Sequence, residues 1–241
     1  NLHMFEAEAM GLQEIKNSHS LRVPTPICWG RNETNSWLVL EYIEMTRITK
    51  NRSEALGTGL AEMHRISFEK FGWIQNNTIG STPQINNFSL DWIQFWRKHR
   101  LGYQLQLAKA NGYTGKLLEQ GDYLMAELEV FFPETPQVAS LLHGDLWNGN
   151  YSYDLEGCPV LYDPAVYYGD READLAMTEL FGGFSTTFYA AYNEAYPLDP
   201  SYKIRKTLYN LYHILNHLNL FGGSYLTQAE DMIERLLTEI H

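Results

Sequence analysis

The sequence predicts an α+β fold in which a small sheet lobe precedes a large, mostly helical lobe. The first 43 residues have the pattern of one helix followed by two strands. From residue 53 onward, apolar residues recur mainly at helical spacing. Apolar residues make up 44% of the 241 residues, which is enough for one large globular domain or for a domain with part of another. We therefore expect a boundary near residue 45, with the sheet lobe at 1–45 and the helical lobe at 46–241.

Residues 2–16 are predicted to form the first helix, because apolar side chains recur there at helical spacing. Glu8 falls on an inward stripe of this helix together with Leu12 and Ile15. A carboxylate that points partly toward the interior needs a partner. The alternative, a glutamate on the surface, stays open at this point.

A hairpin is predicted to follow the helix. The prolines at positions 24 and 26 break the helical pattern. Strands are then predicted at Ile27–Trp29 and Ser36–Ile43, with a turn at Asn32–Asn35 between them. The helix and the hairpin together would form the small sheet lobe.

The second lobe is predicted to be mainly helical. Helices are expected at about 53–64, 89–109 and 115–132, and from about 171, 186, 201 and 227 onward. Ser53 and Ser89 are the predicted N-caps of the first two helices, and Pro133 is expected to end the third. The polar stretch Phe71–Phe88 predicts a long ordered loop.

The composition excludes several classes of partner. The 18 Lys and Arg against 29 Asp and Glu give a formal net charge of −11, and such a surface repels nucleic acid and anionic lipid. No apolar run reaches the roughly 20 residues that a membrane span needs. Cys28 and Cys158 lack the spacing of a metal site, so we expect buried thiols in a reducing cytoplasm. The oligomeric state stays open.

The strongest functional signal is the stretch from His143 to Asn150, which reads His-Gly-Asp-Leu-Trp-Asn-Gly-Asn. Asp145 precedes Asn150 by five residues, and Asp163 follows a strand predicted at Pro159–Tyr162. This order of carboxylate, amide and carboxylate is typical of phosphoryl transfer. The first carboxylate accepts the proton of the attacking hydroxyl, and the other two groups hold Mg²⁺ against the phosphates of ATP. A Gly-Asp-x-x-x-x-Asn string alone often marks only a turn, but its combination with Asp163 favours a small-molecule kinase.

The polar residues around this stretch are expected to have structural roles. His143 is predicted to form hydrogen bonds behind the loop rather than to carry a proton. Asp174 is predicted to hold the catalytic loop or to cap a helix. Asp170 and Glu172 are expected at a solvated helix start.

Trp147 lies inside the catalytic stretch and has two interpretations. It is either a packing wedge or a plate on which a sugar ring or an apolar group of the substrate stacks. We favour the substrate role. The aromatic residues of 88–103, by contrast, are expected to belong to the core.

Motifs along nearly the whole chain resemble those of one family. The most specific are the Trp-bearing stretch at 143–150 and the segment Ile-Gly-Ser-Thr-Pro-Gln at 79–84. Further matching segments lie at 4–12, 38–43, 56–64, 71–73, 91–92, 100–101, 163–165 and 169–177. With these motifs the chain resembles the fructosamine kinase (ketosamine kinase) family. This family is a branch of the aminoglycoside-phosphotransferase-like, protein-kinase-like fold with two lobes.

The resemblance implies ATP-dependent phosphorylation of the 3-hydroxyl of the sugar in ketosamines, of the fructosamine or ribulosamine type, and hence protein deglycation or repair. Asp145 would be the base, and Asn150 and Asp163 would be the ligands of Mg²⁺. Trp147 would lie beside the sugar.

The resemblance also implies residues that bind the nucleotide. Glu8 would pair with a lysine that holds the phosphates. Backbone groups of Glu41 and Ile43, in the strand that contains Leu40, would contact adenine, although an edge strand alone is a weak signal.

One departure from the family pattern concerns the nucleotide lobe. The glycine-rich loop and the strand lysine of the family precede the helix of Glu8 and do not occur in this sequence. We therefore expect residues 1–45 to be a truncated remnant of that lobe, and the chain by itself to be severely impaired. Two alternatives stay open: a kinase of another small hydroxylated amine, aminoglycoside-like or choline-like, and a nucleotide-binding regulator without catalysis.

Overall fold

The computed structural model describes residues 2–46, 52–132 and 136–240. The helices are α1 (Leu2–Asn17), α2 (Ser53–Arg65), α3 (Trp92–Trp96), α4 (Gly102–Ala110), α5 (Lys116–Ala126), α6 (Glu172–Leu180), α7 (Thr186–Ala195), α8 (Tyr202–Phe221) and α9 (Tyr225–Thr238). The strands are β1 (Pro26–Arg31), β2 (Ser36–Leu40), β3 (Met45–Thr46), β4 (Ser67–Phe68), β5 (Asn77–Ile79), β6 (Thr82–Gln84), β7 (Ala139–Leu142), β8 (Tyr151–Asp154), β9 (Pro159–Leu161) and β10 (Tyr167–Gly169). A π-helical turn, Arg97–Leu101, joins α3 to α4, and a 3₁₀ turn, Leu128–Phe131, follows α5.

The helix and the hairpin predicted for the first lobe are both present. β1 and β2 pair antiparallel, with Trp29 opposite Leu38. β2 ends at Leu40, three residues before the predicted end at Ile43. Gly11 of α1 lies so close to the segment after Asp163 that an added Cβ would meet the Val166 side chain at 3.1 Å. Helix α1 is therefore packed directly against the predicted metal-binding segment.

Two small antiparallel sheets present the catalytic stretch. β7 lies between β10 and β4, and all of its residues are buried. β8 pairs with β9 on one side and with β3 on the other. The Tyr162 amide also donates to the Asn150 carbonyl at 3.1 Å, next to the ends of β8 and β9. As a result, the loop between β7 and β8, which contains Asn150, lies beside the segment that follows β9.

The helices of the second lobe enclose an aromatic core, as predicted. Trp92, Phe95 and Trp96 are almost completely buried. The Trp92 indole N–H donates to the Tyr209 hydroxyl at 3.0 Å, which ties α3 to α8. None of the helices in the described ranges is long and apolar enough to cross a bilayer.

Both predicted N-caps are wrong. Arg52 occupies the cap position of α2, and Ser53 is the first residue of the helix. Asp91 caps α3, because its carboxylate accepts from the Gln94 amide at 2.8 Å and its backbone is extended. Ser89 instead pairs with Phe71 in an antiparallel bridge, which holds it outside the helix. Pro133, the predicted end of the third helix, lies outside the described residues.

The predicted long loop at Phe71–Phe88 contains a short hairpin, β5–β6. Its two-residue turn begins at Gly80, whose φ of +59° suits a residue without a side chain. Three-residue strands made largely of polar residues are too short to show an alternating pattern, so the sequence pattern missed them.

The prediction of buried cysteines is also wrong, since Cys28 and Cys158 are both exposed. Cys28 lies in β1 between the exposed residues Ile27 and Trp29, and Cys158 lies in the turn between β8 and β9. Neither position could be read from the composition of its neighbours, because burial on a short hairpin depends on what packs against it.

Asp170 and Glu172 are buried, which contradicts the prediction of a solvated helix start. The Glu172 carboxylate accepts from the Arg205 guanidinium at 2.6 and 2.8 Å, and Asp170 accepts from the Tyr209 hydroxyl at 2.6 Å. The partners come from α8, more than thirty residues away, so local sequence could not reveal them.

Candidate active site

Asp145, Asn150 and Asp163 lie together. The Asn150 side-chain nitrogen donates to the Asp145 carbonyl at 2.8 Å and to the Asp145 carboxylate at 3.2 Å. It also lies 3.4 Å from the Asp163 carbonyl. The amide nitrogen is thus turned toward the two acidic residues, which leaves the Asn150 side-chain oxygen as the atom available to a cation.

The two segments that carry these residues are in backbone contact at Gly144. This glycine has a φ of +83°, and an added Cβ would lie only 2.0 Å from the Ala165 carbonyl oxygen. The Ala165 amide in turn donates to the His143 carbonyl at 2.8 Å. Only a glycine allows the loop to approach the Asp163 segment this closely.

Asp174 holds the catalytic loop, as predicted. Its carboxylate accepts from the backbone amides of His143 at 2.7 Å and Gly144 at 2.8 Å. His64 approaches the same carboxylate at 3.2 Å. Burial alone would raise the pKa of Asp174, but these donors hold it below its usual value. The carboxylate therefore stays ionised and fixes the start of the loop.

His143 has the structural role that was predicted. It is completely buried, and burial lowers the pKa of its imidazole. The Nε2 atom lies 3.1 Å from the Tyr162 carbonyl, and the Asp145 amide donates to Nδ1 at 3.3 Å. A neutral ring with its proton on Nε2 satisfies both contacts and links the two segments of the site.

Three carboxylates share one cavity of about 200 Å³: Glu8, Asp145 and Asp163. Burial, and next the charge of Asp163, raise the pKa of Asp145 to about 7 and that of Glu8 to about 7. No lysine or arginine is among the residues that line this cavity in the described part of the chain. The cavity is therefore built to receive positive charge.

The donor set fits Mg²⁺ that is shared with a nucleotide. Within residues 2–46, 52–132 and 136–240, no group of three or more His, Cys, Asp or Glu side chains is arranged to hold a metal ion. Mg²⁺ typically binds one or two carboxylates and completes its shell with water and substrate phosphates. The Asp163 carboxylate and the Asn150 amide oxygen supply protein ligands of this kind.

A second cavity, of about 380 Å³, is also lined by Asp145. Trp147 forms part of its wall, with 38% of its surface exposed, and packs edge-on against Phe181 at 6.4 Å between ring centroids. Gly149 allows this placement, because a Cβ there would lie 2.3 Å from the Trp147 ring. Asp145 therefore lies at the junction of an acidic cavity and an aromatic cavity.

Sequence reasoning missed the far wall of the aromatic cavity. His213, His217 and Phe221 of α8 line it together with Tyr225 of α9. The spacing of four residues between the three α8 side chains was a signal of one shared helix face. It gave no indication that this face points to Asp145.

The sequence model of the family described as "Fructosamine kinase" matches residues 1–239. The chain belongs to the fructosamine kinase family. A protein of Synechocystis sp. named probable ketoamine kinase is 45% identical over 235 residues, which cover 97% of this chain and 79% of that protein. The chloroplastic protein-ribulosamine 3-kinase of Oryza sativa subsp. indica is 43% identical over 237 residues, which cover 97% of this chain and 69% of that protein.

A solved structure supports the same assignment. The crystal structure assigned as a fructosamine-3-kinase from Thermobifida fusca superposes with a TM-score of 0.89 at 32% identity, covering 98% of this chain and 80% of that chain. The predicted α+β, protein-kinase-like fold is thereby confirmed. Members of this family are kinases that phosphorylate a hydroxyl group, so the prediction of a phosphotransferase is confirmed as well.

The predicted adenine-binding residues of this family member lie apart from both cavities. Leu40 is the last residue of β2, Glu41 and Ile43 lie just beyond it, and none of them lines either cavity. The Glu41 amide already donates to the Thr25 carbonyl at 2.8 Å. The Glu41 amide is thus already occupied, so Glu41 would offer its backbone carbonyl to adenine.

Proposed function

We propose that this chain performs ATP-dependent phosphorylation of the sugar 3-hydroxyl of ketosamines, of the fructosamine or ribulosamine type, in protein deglycation or repair in the cytoplasm. The observation that carries the proposal is the position of Asp145 between the acidic cavity and the cavity walled by Trp147. The names of the relatives, ketoamine kinase and protein-ribulosamine 3-kinase, support the substrate class.

Asp145 acts as the base in the proposed reaction. The acceptor hydroxyl enters from the aromatic cavity and donates its hydrogen bond to the Asp145 carboxylate. As the oxygen attacks the γ-phosphorus of ATP, the bond from that phosphorus to the leaving oxygen of ADP breaks, and the proton passes to Asp145. Asn150 and Asp163 would hold Mg²⁺, which neutralises charge on the phosphates.

Glu8 has a separate role in the proposed site. Its carboxylate shares the acidic cavity with Asp145 and Asp163 and has no cationic partner among the lining residues of the described chain. We assign Glu8 as the partner of a lysine that binds the phosphates of the nucleotide. In this arrangement residues 1–45 belong to the nucleotide lobe, whose Leu40, Glu41 and Ile43 segment binds adenine, and residues 46–241 carry the catalytic and substrate sites.

The chemical class of the acceptor is tested by assaying the full-length gene product with a panel of substrates. ADP release is measured with ketosamines of fructose and ribose, with an aminoglycoside and with choline, each in the presence of ATP and Mg²⁺. Phosphorus–proton NMR then identifies the phosphorylated hydroxyl. We expect turnover with the ketosamines and phosphate on the 3-oxygen.

The other outcomes would overturn the proposal in distinct ways. Turnover only with the aminoglycoside or choline would assign a different acceptor class. Nucleotide binding without turnover on any acceptor would indicate a regulator. Phosphate on another hydroxyl of the ketosamine would refute the proposed position of attack.

A further inference from the structure

The hairpin β5–β6 contacts both cavities of the active site. Asn77, Thr78 and Gly80 line the acidic cavity, and Ile79 and Gly80 line the aromatic one. The hairpin contains the segment 79–84, which is among the most family-specific stretches of the sequence. None of the roles assigned so far explains why this segment lies there.

Gln84, at the end of the hairpin, is buried and has a fixed orientation. Its side-chain nitrogen donates to the Ala165 carbonyl at 3.1 Å and to the Asn77 side-chain oxygen at 2.9 Å. The Tyr212 hydroxyl of α8 donates to the Gln84 side-chain oxygen at 2.8 Å. Because a backbone carbonyl can only accept, the nitrogen of this amide must face Ala165.

Asn77 binds the next residue of the same segment. Its side-chain nitrogen donates to the Val166 carbonyl at 2.8 Å. Its oxygen accepts from Gln84 and from the Asn86 amide, each at 2.9 Å. Two buried amides of the hairpin therefore hold two successive carbonyls just after Asp163 and Pro164.

Asp163 needs such support from its backbone. Its φ of +56° lies in the left-handed region, which is strained for a residue with a side chain. In the described ranges, no side chain or amide donates a hydrogen bond to its carboxylate. A strained conformation persists only where the surrounding structure holds it. The contacts to the Ala165 and Val166 carbonyls add to the hold that the His143 carbonyl and the Asn150 side chain already provide.

We propose that Gln84 and Asn77 are positioning residues that set the place of the Asp163 carboxylate, and hence the affinity of the site for its divalent cation. The inference rests on the proposed metal role of Asp163. The contact of Gln84 with Tyr212 also joins this clamp to α8, whose residues line the aromatic cavity. The hairpin thus holds the metal segment and the acceptor wall in one frame.

The test measures Mn²⁺ binding directly, with ADP present, by electron paramagnetic resonance of the free ion in the full-length protein. Gln84→Met removes both donated hydrogen bonds and keeps the volume. We expect about a 10-fold rise in the Mn²⁺ dissociation constant, since groups that support metal ligands commonly contribute a factor of this size. Gln104→Met is the matched control. Gln104 is equally buried and, like Gln84, interacts with the Tyr212 hydroxyl, but its other bonds go to Asn216 and Asn219 and it makes no hydrogen bond to the Asp163 segment.

Asp163→Asn completes the design and separates the two proposals. Weak binding in Gln84→Met and Asp163→Asn, with normal binding in Gln104→Met, supports the inference. Binding within two-fold of the unmodified protein in Gln84→Met, or an equal loss in Gln104→Met, overturns it and leaves the proposed function standing. Normal binding in Asp163→Asn overturns both the metal role and the inference.

A second variant keeps the test decisive if Gln84→Met does not fold. Tyr212→Phe removes the hydroxyl that orients Gln84 and that also interacts with Gln104, and it leaves the Gln84 donors in place. We expect about a three-fold weaker affinity for Mn²⁺, a smaller effect than that of losing the donors themselves. Unchanged affinity in a folded Tyr212→Phe protein would then overturn the inference.

Discussion

Replacing Gly144 by alanine should disable the site by displacement, although it alters none of the proposed functional side chains chemically. The new Cβ would lie 2.0 Å from the Ala165 oxygen, whereas ordinary contacts begin at 3.4 Å, so the two segments would have to separate by about 1.4 Å. The φ of +83° adds roughly 1–2 kcal/mol of strain for a residue with a side chain. Relief of the overlap costs about 1–3 kcal/mol more. We expect a loss of about 2–5 kcal/mol in the free energy of unfolding.

The effect on turnover should exceed the effect on stability, because a misplacement of about 1 Å between reacting groups can lower the rate by about 100-fold. The measurements are ADP release at saturating substrates and urea unfolding. Gly112→Ala is the matched control, since Gly112 has a φ of +93° and nothing within 4 Å of an added Cβ. It should show the strain of roughly 1–2 kcal/mol and normal turnover. A Gly144→Ala protein with normal kcat would refute the argument that backbone contact at this glycine sets the geometry of the site.

Three further predictions follow from single side chains. Asp145→Asn should lower kcat by about 10²–10⁴-fold, the usual contribution of a positioned base, and normal kcat in the ADP-release assay would exclude that role. Trp147→Ala should raise the KM of the ketosamine about 2- to 10-fold, as expected for lost ring stacking, with little change in the KM of ATP. Trp29 of β1 has a similar exposure, so Trp29→Ala is the control and should change neither constant. Burial lowers the pKa of His213 from 6.5 to about 3, so the folded chain keeps this ring neutral while the unfolded chain protonates it near pH 6.5. The contribution of neutral His213 to the free energy of unfolding is therefore complete above about pH 6.5 and decreases as the pH falls. At pH 5.5 the free energy of unfolding should be lower by about 1.4 kcal/mol on this account. The free energy of unfolding of a His213→Gln protein, measured in urea, should lack this part of the pH dependence. An unchanged dependence on pH in this variant would contradict a neutral, buried His213.

The catalytic loop could be predicted because its residues are close in sequence. Asp145 and Asn150 lie in one loop between β7 and β8, and the β8–β9 hairpin brings Asp163 back beside that loop. A short hairpin leaves little freedom in where its ends lie, so spacing and strand pattern were enough. Asp174 could be predicted for a similar reason, since only strand β10 and the start of α6 separate it from Asp163.

Residues whose partners come from distant elements could not be predicted. Gln84 was part of a recognised motif, yet its contact with Ala165 spans 81 residues. Arg205 of α8 pairs with Glu172 of α6 across one intervening helix, α7, and only the fold shows that both are buried. The exposed thiol of Cys28 shows the converse, because burial was predicted for it from its lack of metal-site spacing and from a reducing compartment, neither of which determines what packs against a strand. Local pattern predicts periodicity, whereas burial and pairing depend on tertiary contacts.

The electrostatics of the two cavities support an acceptor that carries positive charge. The residues that line the aromatic cavity include Asp145 and several aromatic rings, but no lysine or arginine within the described chain. His213 in its wall is neutral at physiological pH, since burial lowers its pKa to about 3. An ammonium group beside aromatic faces and a carboxylate gains attraction, whereas a carboxylate or phosphate on the acceptor would meet only repulsion from Asp145. The amine of a ketosamine is protonated near neutral pH, which suits this wall. A neutral sugar of the same size lacks that attraction, so the charge of the amine, together with the shape of the sugar, should contribute to the choice of substrate.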